Sequence, residues 1–409
     1  MASLLYQFTI FLYWVAAKII SPFNNKAKLF VEGRKNIWKE LGATYPKKNV
    51  VWFHAASLGE FEQGRPVMEE LKKRQPEINL VVTFFSPSGY EERKNYPLAD
   101  VFYLPLDTKR NAKRFIKTVN PKLAVFIRYE FWANYLDQLY ENKIPSTVIA
   151  AQFRKNQFAF SFWGGFIRER IKKLDAIMVQ YKSAETLLLA HNFAASKIKV
   201  CGDSRFDRVL ETVNQAQKIS KIEQFKGDSP LVILGSCYEA EEDFVKEAFS
   251  KYPAWKFIYA PHYVEENYVD ALIKRLPAKA VKFTNYTSGD ERILILNTIG
   301  KLASAYAYGD IAVIGGGFKD GIHNILEAAA FGLPLFFGPK HKSFPEAQAL
   351  LDESLAFEMD KNGNAKKTLE EFIINKTLRD EKSNKLKSFV ENHAGATTCI
   401  VTNLEKYLS

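Results

Sequence analysis

The sequence predicts an α/β protein built from two doubly wound parallel-sheet domains. Three observations carry that prediction. Short apolar, β-branched runs of strand length alternate with helical segments along nearly the whole chain. The alternation restarts near Arg205, which makes two sets of strands rather than one. The 409 residues, 47% hydrophobic and 25% charged, are enough for two cores of ordinary composition.

Residues 1–25 read as an amphipathic helix. Leu4, Phe8, Phe11, Leu12, Val15 and Ile19 share one helical face; Ser3, Gln7, Trp14, Lys18 and Ser21 share another. Gln7, Thr9 and Lys18 interrupt the apolar run, which is marginal for spanning, since that takes about 20 apolar residues. A helix lying in the interface is at least as good a reading, and a plain core helix stays open. The segment is a poor signal peptide, with no basic stretch before it and Lys18 breaking its end. Lys26, Lys28, Arg34, Lys35 and Lys39 follow, which predicts a cytoplasmic body. Residues 1–50 hold eight Lys or Arg against two Glu, so six of the eleven net positive charges lie there. That pattern suits an anionic membrane surface. Nucleic acid is the rival partner, but no zinc-finger spacing and no continuous basic helix supports it.

The first sheet domain is expected over 26–207, with strands at 49–53, 80–84, 101–104, 123–127, 147–150 and 176–180. The second is expected over 208–385, with strands at 231–235, 256–260, 293–296, 311–314 and 335–337. Residues 213–229 are polar and read as linker and domain entry, and 386–409 as a C-terminal helical segment. Ligands of such sheets bind at the carboxyl ends of strands, and a cleft between two such domains suits a two-substrate transfer.

The most informative stretch is 310–339. A buried strand runs straight into Gly315, Gly316 and Gly317, where the lack of Cβ atoms would let backbone approach a ligand. A helix is expected to start near Asn324, a good N-cap residue, and to end at Gly332 and Pro334. Its N-terminus would be an anion site. Glu327, in its first turn, is assigned to ribose hydroxyls, with complementing the helix dipole as the other reading. A glycine-rich turn of this kind is a weak signal by itself.

Three further residues could do chemistry. Glu60 follows a strand and Gly59 at the start of a helix; it is either a general base or a capping carboxylate. Glu130, in Ile127-Arg128-Tyr129-Glu130-Phe131-Trp132, ends an apolar strand and either faces the cleft or pairs with Arg128. Arg205, near the domain junction, either neutralises a leaving phosphate or makes a surface salt bridge. His262, after Pro261, could touch the nucleotide, but a lone histidine at a strand end is more often a loop residue; the same holds for His54, His323 and His341. Residues 152–173 mix Phe153, Phe158, Phe160, Phe162, Trp163 and Phe166 with six Lys or Arg, which suits either a lipid headgroup surface or a helix packed on the core. Cys201, Cys237 and Cys399 read as free thiols of a reducing compartment, with no disulfide and no thiol metal site. No His pair at ligand spacing and no Asp-x-Asp motif at a strand end calls for a metal.

Taken together, seven stretches resemble the 3-deoxy-D-manno-octulosonic acid (Kdo) transferases of lipopolysaccharide synthesis. They are His54-Ala-Ala-Ser-Leu-Gly-Glu60, Ser86-Pro-Ser-Gly-Tyr-Glu91, Tyr103-Leu-Pro-Leu-Asp107, Glu130-Phe-Trp-Ala-Asn134, Gly202-Asp-Ser-Arg-Phe-Asp207, Ala260-Pro-His262 and 315–339. The resemblance implies a GT-B fold and an inverting glycosyl transfer from CMP-Kdo, without a metal. The implied acceptor is a lipid A precursor, lipid IV-A, at the cytoplasmic face of the inner membrane. It further implies Glu60 as catalytic base and Glu130 and Arg205 as transition-state stabilisers. Pro261, His262, Ile299, Gly300, Lys301, Asn324, Ile325, Leu326 and Glu327 would be the CMP contacts. Arg205 stands where the family usually has Lys; the charge is kept, but the donor is planar. Lys301 stands where an acidic residue is expected. Two other classes fit the architecture. A nucleotide-sugar epimerase would need no lipid acceptor. A non-catalytic membrane-associated nucleotide-binding protein would need neither Glu60 nor Glu130.

Overall fold

A computed structural model describes residues 2–360 and 363–408. The chain forms two compact units: one takes the residues up to Asp207 and the chain from Ala394 onward, the other Arg208–His393.

The first unit holds a seven-stranded, wholly parallel sheet: β1 (Val50–Ala55), β2 (Asn79–Phe84), β3 (Ala99–Tyr103), β4 (Leu123–Ile127), β5 (Ser146–Ala151), β6 (Ala176–Val179) and β7 (Ile198–Val200). Their order is β3-β2-β1-β4-β5-β6-β7. β1 is buried along its whole length, and its side chains alternate between two cores. Val51, Phe53 and Ala55 join one; Val50 and Trp52 join the other. A strand buried on both faces is apolar on both, which explains the run Val50–Phe53 that marks it in the sequence; His54, the one polar residue of β1, is buried with hydrogen-bond partners.

The second unit repeats the plan with β8 (Leu231–Cys237), β9 (Lys256–Pro261), β10 (Ala280–Lys282), β11 (Ile293–Ile295), β12 (Ile311–Ile314), β13 (Leu335–Phe337) and β14 (Ala356–Glu358). Again all pairings are parallel, in the order β10-β11-β9-β8-β12-β13-β14.

The N-terminal helix Ala2–Ile20 lies along the first unit. Tyr6 Oη donates to Asp107 Oδ2 at 2.6 Å, and Gln7 Nε2 to Asn134 Oδ1 at 2.7 Å. Tyr13 and Trp14 pack on Phe30. The opposite face, with Leu4, Leu5, Phe8, Phe11, Leu12 and Ile19, is exposed. By length and composition the helix could also cross a membrane.

Two expectations are corrected. Arg34 does not join the exposed lysines that follow this helix. It is buried and donates to three carbonyls, Phe30 O, Leu104 O and Phe85 O, while lying over the Phe30 ring; burial lowers its pKa to about 10. The cysteines are not all free. Cys201 and Cys399 are disulfide-bonded, because the C-terminal helix Ala396–Glu405 returns to pack on Leu58–Arg74 beside the end of β7. Cys237 alone is free, and buried.

Candidate active site

In the first unit the strand order reverses between β1 and β4, and the crevice outside the carboxyl ends of those two strands is where a doubly wound sheet binds ligands. Glu60 and Glu130 follow these two strands. After β1 the chain stays extended at Ser57, then enters the helix Leu58–Arg74 with Glu60 in its first turn. The Ala56 N–H donates to Glu60 Oε2 at 2.5 Å. The residue is only 4% exposed. Burial first, and then the charge of Glu130, push its pKa from the ordinary 4.5 up to about 7; the N–H groups of Ala56 and Ser57 and the charge of Arg128 pull the other way. The rise corresponds to roughly 3 kcal/mol against the ionised form. A carboxyl that exchanges its proton near neutrality is suited to general base work.

Glu130 also has a raised pKa, through burial, with Arg128 opposing. The structure therefore brings the two carboxyls within each other's field and sets Arg128 beside both. Arg128 has φ +69°, a left-handed conformation rare outside glycine and common at functional turns. Its Nη2 donates to Gln152 Oε1 at 3.2 Å, and among the described residues its Nε has no hydrogen-bond partner. Residue order suggests no role for Arg128 beyond pairing with Glu130. Nothing in residue order marks a left-handed φ on an arginine.

Arg205 is the second residue of the helix Ser204–Asn214. It forms a salt bridge, with a buried partner rather than at the surface. Its Nη2 and Nε donate to Asp203 Oδ2 at 2.6 and 2.9 Å, and Asp203 is buried. About a third of the Arg205 side chain stays exposed, at 30%.

In the second unit the order reverses between β8 and β12. The expected nucleotide contacts follow three strands of the run β11-β9-β8-β12. Pro261 closes β9, with exposed His262 next. Ile299, Gly300 and Lys301 follow β11; Ile299 is highly exposed and Gly300 has φ +85°. Asn324 to Glu327 follow β12. His262 stacks on Tyr238 at 4.6 Å and on His323 at 5.0 Å.

The glycine stretch differs from expectation. A Cβ on Gly315 would lie 2.0 Å from Ser236 O, and one on Gly317 would lie 2.5 Å from Gly338 N. These glycines let the unit's own loops meet; they are not laid open to a ligand. The helix after them is short, Leu326–Ala330, with Ile325 at its cap position. Asn324 Oδ1 accepts from the Leu326 N–H at 3.1 Å, and Asn324 Nδ2 donates to Glu327 Oε1 at 2.9 Å. Ile325 and Leu326 are each 1% exposed, so their side chains are withdrawn into the core. Burial raises the Glu327 pKa, against the Asn324 hydrogen bond and the charge of Arg208.

The basic-aromatic stretch divides. Phe153 and Phe160 are core residues, and Arg170 pairs with Asp137 at 2.7 Å, whereas Phe158, Phe162 and Trp163 are exposed.

Two parallel sheets with carboxyls at a strand-order reversal suit a glycosyltransferase, and the class rests on comparison with known proteins. Residues 34–208 match the family described as 3-Deoxy-D-manno-octulosonic-acid transferase (kdotransferase). The chain is 26% identical over 381 residues to the 3-deoxy-D-manno-octulosonic acid transferase of Haemophilus influenzae, covering 90% of this chain and 89% of that one. It is 28% identical over 355 residues to the transferase of the same name from Aquifex aeolicus, covering 83% and 91%. Residues 34–208 thus match the Kdo transferase domain, and these transferases resemble the chain over most of its length. Among solved structures it is similar in fold to the UDP-GlcNAc 2-epimerase of Neisseria meningitidis (TM-score 0.62, 15% identity, 87% of this chain and 99% of that one). It is likewise similar to MurG of Acinetobacter baumannii (TM-score 0.54, 14% identity, 88% and 100%). At such identities the likeness is one of fold alone.

Proposed function

We propose that the chain is an inverting glycosyltransferase that moves Kdo from CMP-Kdo to a lipid A precursor, lipid IV-A. The observation that carries this is Glu60: a buried carboxyl that releases its proton near pH 7, inside the segment that matches the family. Glu60 takes the proton of an acceptor sugar hydroxyl as that oxygen attacks the anomeric carbon of Kdo. The new C–O bond forms on the face opposite CMP, the bond from the anomeric carbon to the phosphate oxygen breaks, and CMP leaves with the electron pair. Glu130 stabilises the positive charge that develops on the sugar, and Arg205 the negative charge on the departing phosphate. CMP is held by Pro261, His262, Ile299, Gly300, Lys301 and the Asn324 to Glu327 turn. Backbone supplies the contacts at Ile325 and Leu326, and the Glu327 carboxylate accepts from ribose hydroxyls.

The acceptor is lipidic, so we further propose that the enzyme works at the cytoplasmic face of the inner membrane. Support comes from the exposed apolar face of the helix Ala2–Ile20, the exposed lysines 26, 28, 35 and 39, and exposed Phe158, Phe162 and Trp163. The test is incubation of purified protein with CMP-Kdo and lipid IV-A, with the lipid weighed by mass spectrometry. Wild type should add Kdo residues and Glu60→Gln none. An unmodified lipid with wild type, or normal turnover by Glu60→Gln, would overturn the proposal.

A further inference from the structure

His54 is the next-to-last residue of β1 and has had no role so far. It is fully buried. Its Nε2 lies 2.9 Å from the indole Nε1 of Trp132. An indole N–H can only donate, so Nε2 must carry a lone pair. The ring proton then sits on Nδ1 and is donated to Thr83, whose Oγ1 is at 2.9 Å and carbonyl O at 3.1 Å, across the register that pairs His54 with Thr83. Thr83 is held in its turn, because its Oγ1 accepts from Trp52 Nε1 at 2.7 Å. Both ring nitrogens are thus used, and the ring is neutral.

The two ends of this brace matter. Trp132 closes the turn that holds Arg128 and Glu130, packs on Phe85 with ring centroids 4.5 Å apart and tilted planes, and precedes the helix Ala133–Glu141. Two residues past His54, the Ala56 N–H donates to Glu60. One imidazole therefore joins the strand that carries the Glu60 contact to the turn that carries Glu130. We propose that His54 is a positioning residue: as an obligate acceptor for Trp132, it sets the separation of the Glu60 and Glu130 carboxyls. This rests on the transferase reading for its kinetic consequence but not for its geometry.

The desolvated ring has its pKa pushed down to about 3, so the brace does not open across the working pH range. The groups that face Glu60 are Glu130, Arg128 and the Ala56 and Ser57 N–H groups. A change in their spacing changes the Glu60 titration, which fold stability alone would not do.

The experiment compares wild type with His54→Phe, His54→Gln and Trp132→Phe. Phe keeps the ring and removes both hydrogen bonds; Gln can still donate and accept. His54→Phe should lower kcat roughly tenfold or more, with a smaller change in KM. It should also move the acid limb of the kcat/KM profile by about half a pH unit. His54→Gln should recover part of both losses. Trp132→Phe should reproduce them, and the double variant His54→Phe/Trp132→Phe should lose little more than either single one. Wild-type kcat and an unmoved limb in His54→Phe would overturn the proposal, as would multiplying losses in the double variant. If His54→Phe fails to fold, Trp132→Phe, which removes the N–H donor and trims a partly buried ring while leaving His54 in place, decides by the same two readouts.

A second readout needs no turnover. The Trp132 indole N–H resonance, assigned by its loss in Trp132→Phe, should be constant from about pH 5 to pH 9 and move upfield in His54→Phe. A resonance that titrates with a histidine, or one unmoved by His54→Phe, would overturn the brace even in an active enzyme. Wild type without transfer activity would instead sink the transferase reading and leave this readout to decide.

Discussion

A carboxyl that is 4% exposed and accepts one backbone N–H at 2.5 Å keeps its proton up to about pH 7, with opposite consequences for stability and for activity. The folded pKa of Glu60 lies above its ordinary 4.5, so the folded state binds more protons than the unfolded state between those values. Stability therefore falls as pH rises from 4.5 to about 7, and above that the full penalty applies. Glu60→Gln should be more stable than wild type at pH 8, by up to about 3 kcal/mol, with the gain gone below pH 4.5. Urea melts at the two pH values check this, and equal stability at pH 8 would contradict it. Activity runs the other way. A base must be ionised, so kcat/KM of wild type should climb along a limb centred near pH 7. The Glu130 charge is one cause of the raised pKa, so Glu130→Gln should shift the limb of its residual activity to lower pH. A limb that stays or rises would separate the two carboxyls.

At the scale of elements, the helix Ala2–Ile20 turns one face to the first unit and the other outward. Its 3.6-residue spacing made both faces legible. What docks them was not, because Tyr6 meets Asp107 across 101 positions and Gln7 meets Asn134 across 127. On the proposed reading the outward face enters lipid. Replacing Leu4, Phe8 and Phe11 with Ser removes roughly 1.5–3 kcal/mol of burial each. Binding to vesicles containing anionic lipid should fall more than a hundredfold, with fold and transfer to a detergent-solubilised acceptor retained. Cosedimentation equal to wild type would show that another surface holds the membrane. The sheets divide in the same way between what was legible and what was not. β4, β12 and β13 stand where their apolar runs put them. β7, β10 and β14 went unseen, being three-residue strands at or next to sheet edges with few fully buried side chains. Gly315 and Gly317 show a further limit. Residue order announces that backbone must come close to something, but whether to a ligand or to Ser236 and Gly338 depends on loops far away in sequence.

For the whole molecule, the second unit is an insertion in the first, since the chain leaves after Asp207 and returns at Ala394. The return is held within the first unit by Ile400, Val401, Leu404 and Leu408, which join its core, and by a few polar groups and a disulfide. Asp207 accepts from the Gly395 and Thr397 N–H groups and from the Thr397 hydroxyl, taking the place of a side-chain cap for the helix Ala396–Glu405. Arg74 reaches Glu405 at 3.4 Å, and Cys201 is bonded to Cys399. A bond across 198 positions is invisible to cysteine spacing, so residue order alone points to three free thiols. In the chain-entropy account a closed loop of this length restrains the unfolded chain by up to about 5 kcal/mol, and the lost cap of Asp207→Ala costs about 1–2 kcal/mol. Both should act on the same element. Reduction and Asp207→Ala should each lower the unfolding midpoint, and proteolysis should then cut first in the C-terminal helix. Alkylation of unfolded, unreduced protein should label Cys237 alone, and reduction should raise the count to three thiols. Three labelled thiols before reduction would mean that packing and Asp207 alone hold the returning chain. The midpoint should then be indifferent to reductant while still falling in Asp207→Ala.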